Sequence, residues 1–275
     1  MLDVISRALD VHRWSEHPES NHFVNQIYDE WFTNDNPAIT KKHLKVILLD
    51  MYVGWKIHPD MTIGIPQSRT YYRAKSRYNA IHISSKAIMV TKRLVEIGLL
   101  DWDKGWSGYG PIGGKISQFW PTDKLKDMFE KARFGIDDTF THIDKETIVL
   151  RDENKRDIEY DDTEATVQMR RLVRDYNRLL SQTFVDIPNL DEPYMLSSDK
   201  WSNGSTAQIF IGQNEKFTRR IFSNNSWSQN GRFYGRWWQR IPSEQRRDIY
   251  INDEPTIEIE YSGLHPVLVY QRKGV

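Results

Sequence analysis

The sequence contains no cysteine, no long apolar run and no excess charge of either sign. Without cysteine the chain has no disulfide, no thiolate zinc site and no cysteine nucleophile. No apolar stretch approaches the length of about 18 residues that a membrane-spanning helix needs. The first residues carry acids and lack the apolar segment of a secretory signal. These absences predict an intracellular, cytoplasmic protein.

The chain is rich in aromatic residues. Its 275 residues include 10 Trp, 13 Tyr and 11 Phe, which supply enough apolar surface for sizeable cores. At roughly 100–200 residues per domain, this length favours two compact units.

The charges are balanced in total but segregated along the chain. Lys plus Arg and Asp plus Glu each number 38. Residues 61–95 hold seven bases and no acid, whereas residues 137–164 hold eleven acids and four bases. Residues 215–250 are basic again, with eight bases and three acids. Such runs are typical either of solvated surface or of a surface that binds a polyanion.

The pattern of residues 39–132 predicts helices followed by a β-hairpin. Apolar residues at helical spacing over 44–55 indicate a helix that ends before Pro59. Residues 84–98 predict a second helix, with serine at its start and glycine at its end. Residues 99–120 are typical of a hairpin with a glycine-rich tip. This order is the outline of a winged helix.

The first basic run coincides with this outline. Its bases are expected to face outward from the helix and its preceding loop, where they would contact the phosphates of duplex DNA. The predicted DNA-binding residues of this run are Arg69, Arg73, Lys75, Arg77, Lys86, Lys92 and Arg93.

The remaining patterns are less regular. Residues 1–34 predict two short amphipathic helices. Residues 147–162 indicate a hairpin, and 163–181 a strong helix. The Asn-Gly pairs at 203–204 and 230–231 predict tight turns.

In the second basic run, arginines alternate with aromatic residues. Arginine contacts phosphate, and aromatic faces stack on bases. The arginines are Arg232, Arg236, Arg240, Arg246 and Arg247, and the aromatics are Phe233, Tyr234, Trp237 and Trp238. Residues 256–260 then predict a strand in which Glu258 and Glu260 share one face, either as a cation site or as an exposed polar face. A short helix with Pro266 in its first turn follows.

Short motifs follow one another through residues 231–265. They are Gly231-Arg232, Gln239-Arg240-Ile241-Pro242, Arg246 or Arg247, and Glu260-Tyr261-Ser262-Gly263-Leu264-His265. In this order they resemble the palm segment of family A DNA polymerases. That segment has a Thr-Gly-Arg turn, a Gln-x-Ile-Pro step, an arginine-bearing strand and Asp-Tyr-Ser-x-x-Glu. The likeness covers about 45 of the 275 residues.

The resemblance implies roles for several residues. Glu260 would take the place of the metal-binding, catalytic aspartate and hold Mg²⁺, although it is one methylene longer. Tyr261 and His265 would contact the incoming nucleotide. Arg232, Arg236, Gln239, Arg240 and Arg247 would contact template and primer. The second catalytic carboxylate of the family has no counterpart before Val275, so we expect no complete two-metal site in this chain.

Residues 39–132 also resemble the winged-helix region of phage or plasmid replication proteins. The expected fold is α+β. It comprises a helical winged-helix domain (1–135), a hairpin with a connecting helix (136–190) and a β-rich, palm-like segment (191–275). The expected function is that of a DNA-binding replication protein that is not a polymerase by itself.

Three other functions are compatible with the sequence. The first is a winged-helix transcriptional regulator with a C-terminal dimerisation or ligand domain. The second is one subunit of a split nucleotidyltransferase whose other catalytic residues come from another chain. The third is a structural or interaction protein with ordinary charged faces.

Overall fold

Contacts divide the chain into two units that do not follow the sequence order. The computed structural model describes residues 6–106, 114–192, 194–198, 206–257, 259 and 263–273. Unit 1 comprises the described parts of 1–181 and 213–236, and unit 2 those of 182–212 and 237–275. The predicted segment 1–135 falls within unit 1, whereas 136–190 and 191–275 are each divided between the units. Residues 213–236 belong to unit 1 because strand pairing joins residues near 149 to residues near 221.

Six helices lie in the described residues, and their ends follow local capping chemistry. The Asn36 side chain accepts a hydrogen bond from the Ile39 amide, with Pro37 at the first helical position. The Thr122 hydroxyl accepts in the same way from Leu125. The helices are α1 Pro18–Trp31, α2 Pro37–Ile57, α3 Lys86–Glu96, α4 Asp123–Lys131, α5 Glu164–Ser181 and α6 Leu264–Lys273.

The described strands are short. In unit 1 they are β1 Ser6–Ala8, β2 Arg13–Trp14, β3 Thr62–Gly64, β4 Leu100–Asp103, β5 Gln118–Pro121, β6 Phe140–Thr141, β7 Ile148–Leu150, β11 Arg219–Ser223 and β12 Ser226–Tyr234. In unit 2 they are β8 Val185–Asp186, β9 Tyr194–Ser198, β10 Thr206–Phe210, β13 Tyr250–Ile251 and β14 Glu254–Pro255.

The largest sheet of unit 1 has the strand order β1-β3-β5-β4. β1 runs parallel to β3, and the other two pairings are antiparallel. The predicted helix and hairpin are confirmed as α3 leading into β4 and β5. Gly98 adopts the left-handed φ of +73° expected after the helix. The predicted glycine-rich tip lies outside the described residues.

Helix α2 is buried more completely than its sequence pattern indicates. Every residue from His43 to Gly54 is buried, including the charged Lys45 and Asp50. The Lys45 ammonium lies 4.1 Å from the centroid of the Trp14 ring, a cation–π contact. A helix buried on several sides is the core of its unit rather than an amphipathic cover.

The prediction for residues 1–34 is wrong in its first half. In the described part of this segment, from residue 6 onward, only α1 is helical, and residues 6–8 and 13–14 form β1 and β2. The residues of β1 pair with β3, and Arg7 and Arg13 reach Asp50 in α2. Tertiary partners far along the chain therefore override the local helical pattern.

The predicted turn at 230–231 is also wrong. The chain reverses at Asn224 and Asn225, whose φ values of +56° and +54° suit a tight hairpin turn. Asn230 and Gly231 lie inside β12, where the register shifts against β11. A left-handed Asn-Gly pair serves a bulge as well as a turn, so the sequence signal located the backbone conformation but not the reversal. The pair at 203–204 lies outside the described residues.

In unit 2, β9 pairs with β10, and β13 pairs with β14 and β8. The unit's core surrounds the fully buried Trp237, together with residues such as Val185 and Ile249. The strand predicted over 256–260 is not present in its described residues, where Ile257 and Ile259 are 85% and 73% exposed. The helix around Pro266 is confirmed as α6. The fold is thus mixed α+β, and no helix among the described residues is long and apolar enough to cross a membrane.

The N-terminal strands are held by a buried ion-pair cluster at Asp50. This carboxylate is fully buried and receives two hydrogen bonds of 2.8 Å from Arg7. The nearly buried Arg13 lies 3.3 Å away through Nε, and the Asp10 amide also donates at 3.0 Å. Burial acts to lower the pKa of Arg7, but the charge and hydrogen bonds of Asp50, together with the charges of Glu215 and Asp10, more than offset it and the pKa is raised.

We expect Asp50→Asn to lower the free energy of unfolding by about 3–5 kcal/mol, because the buried Arg13 and the half-buried Arg7 lose the buried anion that they share. Urea unfolding followed by circular dichroism measures this loss. Asp127→Asn, at an exposed position of α4, is the matched control and should change stability by less than about 0.5 kcal/mol. Equal effects of the two substitutions would contradict the structural role of Asp50.

Two buried histidines serve as hydrogen-bond acceptors in unit 1. Nδ1 of His43 lies 2.7 Å from the Ile39 carbonyl oxygen, so it must carry the proton, and Nε2 accepts from the Ser84 amide at 3.0 Å. Nε2 of His12 accepts from the Ala80 amide at 3.3 Å. Burial lowers the pKa of both imidazoles. His43 thereby joins α2 to the start of α3 only while it is neutral.

Because these histidines have lowered pKa values in the fold, protonation favours the unfolded chain. The contribution of these histidines to the free energy of unfolding should be fully present above about pH 7. It should be lost as the pH falls through about 6.5, the ordinary pKa of histidine in the unfolded chain. His43→Gln, which keeps an acceptor near Nε2 without titrating, should show a shallower decrease in urea titrations at each pH. His22→Gln, at an exposed position of α1, should follow the wild-type curve. A wild-type pH dependence in His43→Gln would contradict this assignment.

Candidate nucleic-acid interface

A groove of about 720 Å³ runs between the loop after β3 and the base of the β4–β5 hairpin. Its most exposed aromatic residues are Tyr71 and Trp106, at 56% and 51%. Arg73 and Lys115 line it from opposite sides. The groove therefore presents cationic and aromatic groups together at the foot of the hairpin.

Buried side chains set the shape of the loop on one side of the groove. The Tyr72 hydroxyl donates to the Pro66 carbonyl at 2.9 Å, and burial raises the pKa of this tyrosine. The Asn79 side chain bonds both the amide and the carbonyl of Ile83, at 2.9 and 2.7 Å. These internal bonds leave Arg73 and Lys75 facing solvent.

On the other side, the two hairpin arms approach closely at Gly105. A Cβ at this position would lie 2.1 Å from the Lys115 carbonyl oxygen, which only glycine avoids. The Gly105 amide donates to the Ser117 hydroxyl at 3.0 Å, and Trp106 pairs with Lys115 across the arms. Glycine therefore closes the base of the hairpin and directs Trp106 into the groove.

The exposed side of α3 carries further cations. Lys86 forms a 2.5 Å ion pair with Asp35, and Arg93 lies 3.3 Å from Glu96. Lys92 is exposed. The apolar Met89, which lies between Lys86 and Lys92 in the sequence, is also exposed, at 59%. Within the described residues, four of the predicted bases are exposed without an ion-pair partner: Arg69, Arg73, Lys75 and Lys92.

Arg77 must be removed from the predicted DNA-contacting set. Its guanidinium donates to the Tyr160 carbonyl at 2.7 Å and to Asp162 at 3.1 Å, and it lies 3.5 Å from the buried Glu146. The guanidinium also stacks 3.6 Å from the centre of the Tyr160 ring. Arg170 binds Glu146 and Asp162 from α5 at 2.9 and 2.7 Å. The acidic run thus neutralises one member of the first basic run.

Since Arg77 binds several acids inside the fold, Arg77→Met should lower the free energy of unfolding by about 1.5–3 kcal/mol. Arg93→Met, which breaks one exposed pair, should cost less than about 1 kcal/mol in the same urea titration. The assignment is wrong if Arg77→Met keeps wild-type stability.

The second basic run does not form one surface within either unit. Arg232 is exposed on β12 of unit 1. Arg236 follows this strand in the same unit and donates to the Tyr176 hydroxyl at 3.0 Å. Gln239, Arg240 and Arg247 belong to unit 2 and are exposed.

The aromatic residues of this run are divided as well. Trp237, predicted to stack on bases, is fully buried in the core of unit 2. Phe233 and Tyr234, at 46% and 41%, are the exposed members in unit 1. The prediction is therefore wrong for Trp237, which is not available to stack on a base.

Most of the predicted catalytic and nucleotide-binding residues lie outside the part of the chain that the structure describes. Glu260, the candidate metal ligand, and Tyr261 lie outside the described residues, and so does Glu258. The backbone of His265 lies in the first turn of α6. Among the described residues, no group of three or more His, Asp or Glu side chains could hold a metal ion. Mg²⁺ at Glu260 remains an implication of the polymerase resemblance alone.

Apart from Arg73, the aromatic and cationic members of the groove were not predicted as functional: Tyr71, Trp106 and Lys115. The sequence signal that could have identified them is their position: Tyr71 lies within the first basic run, and Trp106 and Lys115 flank the glycine-rich tip. Compared with protein-family models, curated proteins and solved structures, the chain shows no match to any of them.

Proposed function

We propose that unit 1 binds duplex DNA in the manner of a winged helix and that the protein is a DNA-binding replication protein of phage or plasmid type. The observation that carries the proposal is the strand order β3-β5-β4, with α3 leading directly into the β4–β5 hairpin. A winged helix places its second helix in the major groove and its hairpin along the backbone. The exposed bases lie on these same elements and on the loop between β3 and α3.

The chemistry of binding is mainly phosphate neutralisation. Arg69, Arg73 and Lys75 precede α3, and Lys92 lies on its exposed side. Lys115 lies at the hairpin base, where it is ion-paired with Asp103, so a phosphate would have to compete with that carboxylate. Each cation that meets a phosphate releases a condensed counterion, so affinity falls as salt rises. Tyr71 and Trp106 add apolar surface for the sugar and base faces beside the phosphates. Phosphate contacts of this kind orient the protein without reading sequence.

Binding of a mixed-sequence duplex should weaken linearly on a plot of log affinity against log salt, measured by fluorescence anisotropy. The double variant Arg73→Ala with Lys75→Ala should reduce the slope by about 2, because about 0.9 counterions are released per phosphate contact. The double variant Lys131→Ala with Arg156→Ala removes the same charge from exposed positions elsewhere and should keep the wild-type slope. An absence of binding at low salt, or equal slopes for both variants, would overturn the proposal.

Footprinting on DNA that the protein binds at one position separates the transcriptional regulator from the replication protein. A transcriptional regulator that dimerises through its C-terminal part gives a two-fold symmetric footprint over two half-sites. A replication protein acting as a monomer gives a single asymmetric footprint. The polymerase-like reading of residues 231–265 is a separate proposal supported by the motifs around Gln239 and Glu260. Metal-dependent nucleotide incorporation that is lost in Glu260→Ala would show that the chain is itself catalytic.

A further inference from the structure

The groove at the foot of the β4–β5 hairpin leaves two large aromatic rings exposed to solvent. Tyr71, on the loop after β3, is 56% exposed, and Trp106, at the base of the hairpin, is 51% exposed. Ile116 adds an apolar side chain from the second arm of the hairpin. Soluble proteins rarely leave such surface grouped in one place unless it binds something. The two rings therefore indicate a ligand with a flat apolar face.

Both segments that carry the rings are held in place by the fold. The half-buried Tyr72 ring contacts the Tyr71 ring nearly at a right angle, with the ring centroids 5.5 Å apart. The Tyr72 hydroxyl is fixed in turn by its bond to the Pro66 carbonyl. On the hairpin, the amide and the carbonyl of Trp106 each bond Lys115 at 2.9 Å. A ligand that stacks here therefore meets a groove that is already formed, which lowers the entropic cost of binding.

The polar lining of the groove suits a phosphate. Arg73 is exposed and has no ion-pair partner among the described residues, whereas Lys115 is paired with Asp103. The hydroxyls of Ser68 and Thr70, which bond each other at 2.7 Å, add further polar groups. No acidic side chain is among the described residues that line the groove. A nucleotide, which joins a flat ring to a phosphate, matches both parts of this lining.

Base pairing decides which nucleotides can use the two rings. In a continuous duplex both faces of each base are covered by neighbouring bases, so a side chain reaches a base face only after unfavourable unstacking. An unpaired nucleotide exposes its faces and stacks on aromatic side chains whatever its sequence. The groove volume of about 720 Å³ lies within the range of roughly 300–1,000 Å³ of sites that enclose small molecules. The groove therefore suits unpaired nucleotides better than a duplex.

The position of the groove links it to the duplex. The β4–β5 hairpin lines the groove, and in the proposed function, on which this inference rests, the same hairpin lies along the duplex backbone. The exposed bases Arg69 and Lys75 lie on the loop that carries Tyr71. We propose that the groove binds unpaired nucleotides next to the duplex, so that unit 1 recognises a junction between duplex and single-stranded DNA.

The test measures fluorescence anisotropy of the full chain with matched labelled DNAs. They are a blunt mixed-sequence duplex, the same duplex with a short thymidine tail on its 3′ or its 5′ end, and the same tailed duplexes with abasic residues in place of the thymidines. Thymidine and abasic tails carry equal numbers of phosphates, so the ratio of their affinities measures stacking alone. This stacking ratio should be at least about ten for one of the two ends, because each base stacked on an aromatic ring contributes about that factor.

Variants locate the stacking. The double variant Tyr71→Ala with Trp106→Ala should lower the stacking ratio to about one, whatever its affinity for the blunt duplex. Trp106→Phe keeps an aromatic ring and should retain most of the ratio. Tyr270→Ala removes a ring that is 60% exposed on α6 of unit 2, and as the matched control it should keep the wild-type ratio.

The possible failures are distinguishable. Equal affinity for thymidine and abasic tails at both ends, or a wild-type ratio in the double variant, would overturn this inference while binding of the blunt duplex leaves the proposed function standing. A free thymidine strand that binds as tightly as the tailed duplex would overturn the junction, because the duplex would then contribute nothing. If no DNA binds at low salt, the proposed function fails and this inference fails with it.

Discussion

The ion-pair cluster at Asp50 is the constraint on which unit 1 depends. A fully buried carboxylate is costly unless cations and amides compensate it, and here the compensation comes from Arg7, Arg13 and the Asp10 amide. The N-terminal residues are therefore drawn onto α2, where β1 extends the sheet beside β3. Because β3 also pairs with β5, the same sheet supports the hairpin of the candidate interface. The buried ion pairs of Asp50 thus help to position the β4–β5 hairpin through the β1-β3-β5 pairings.

Ion pairing also divides the bases of the first basic run into those that are neutralised inside the fold and those that remain exposed. Arg77 is neutralised by acids of the 146–162 region, and Lys86 is paired with Asp35. Arg73, Lys75 and Lys92 have no such partners among the described residues. A chain with no net charge can therefore keep a local cationic surface, because its acids neutralise some bases and leave others exposed. The proposed affinity for DNA depends on this local excess and not on overall charge.

Local signals predicted well where they describe the backbone of a single segment. The glycine after α3, the Thr122 cap of α4 and the hairpin between the two helices are confirmed. Ser85 stands at the N-cap position of α3, but its side chain makes no capping hydrogen bond. Predictions failed where a distant partner decides. Residues 6–8 became a strand because β3 pairs with them, and Trp237 was drawn into a core instead of a stacking surface. The 230–231 pair has the expected backbone conformation but serves a bulge.

By itself the sequence determined the mixed α+β class, the main helices and the hairpin after α3, since capping, periodicity and glycine act within a few residues. It also located the basic runs. Tertiary structure decided which bases remain exposed, which aromatics are buried, and that Tyr71 and Trp106 line one groove. The physical reason is that ion pairing, burial and groove walls depend on neighbours in space, which residue spacing along the chain does not specify.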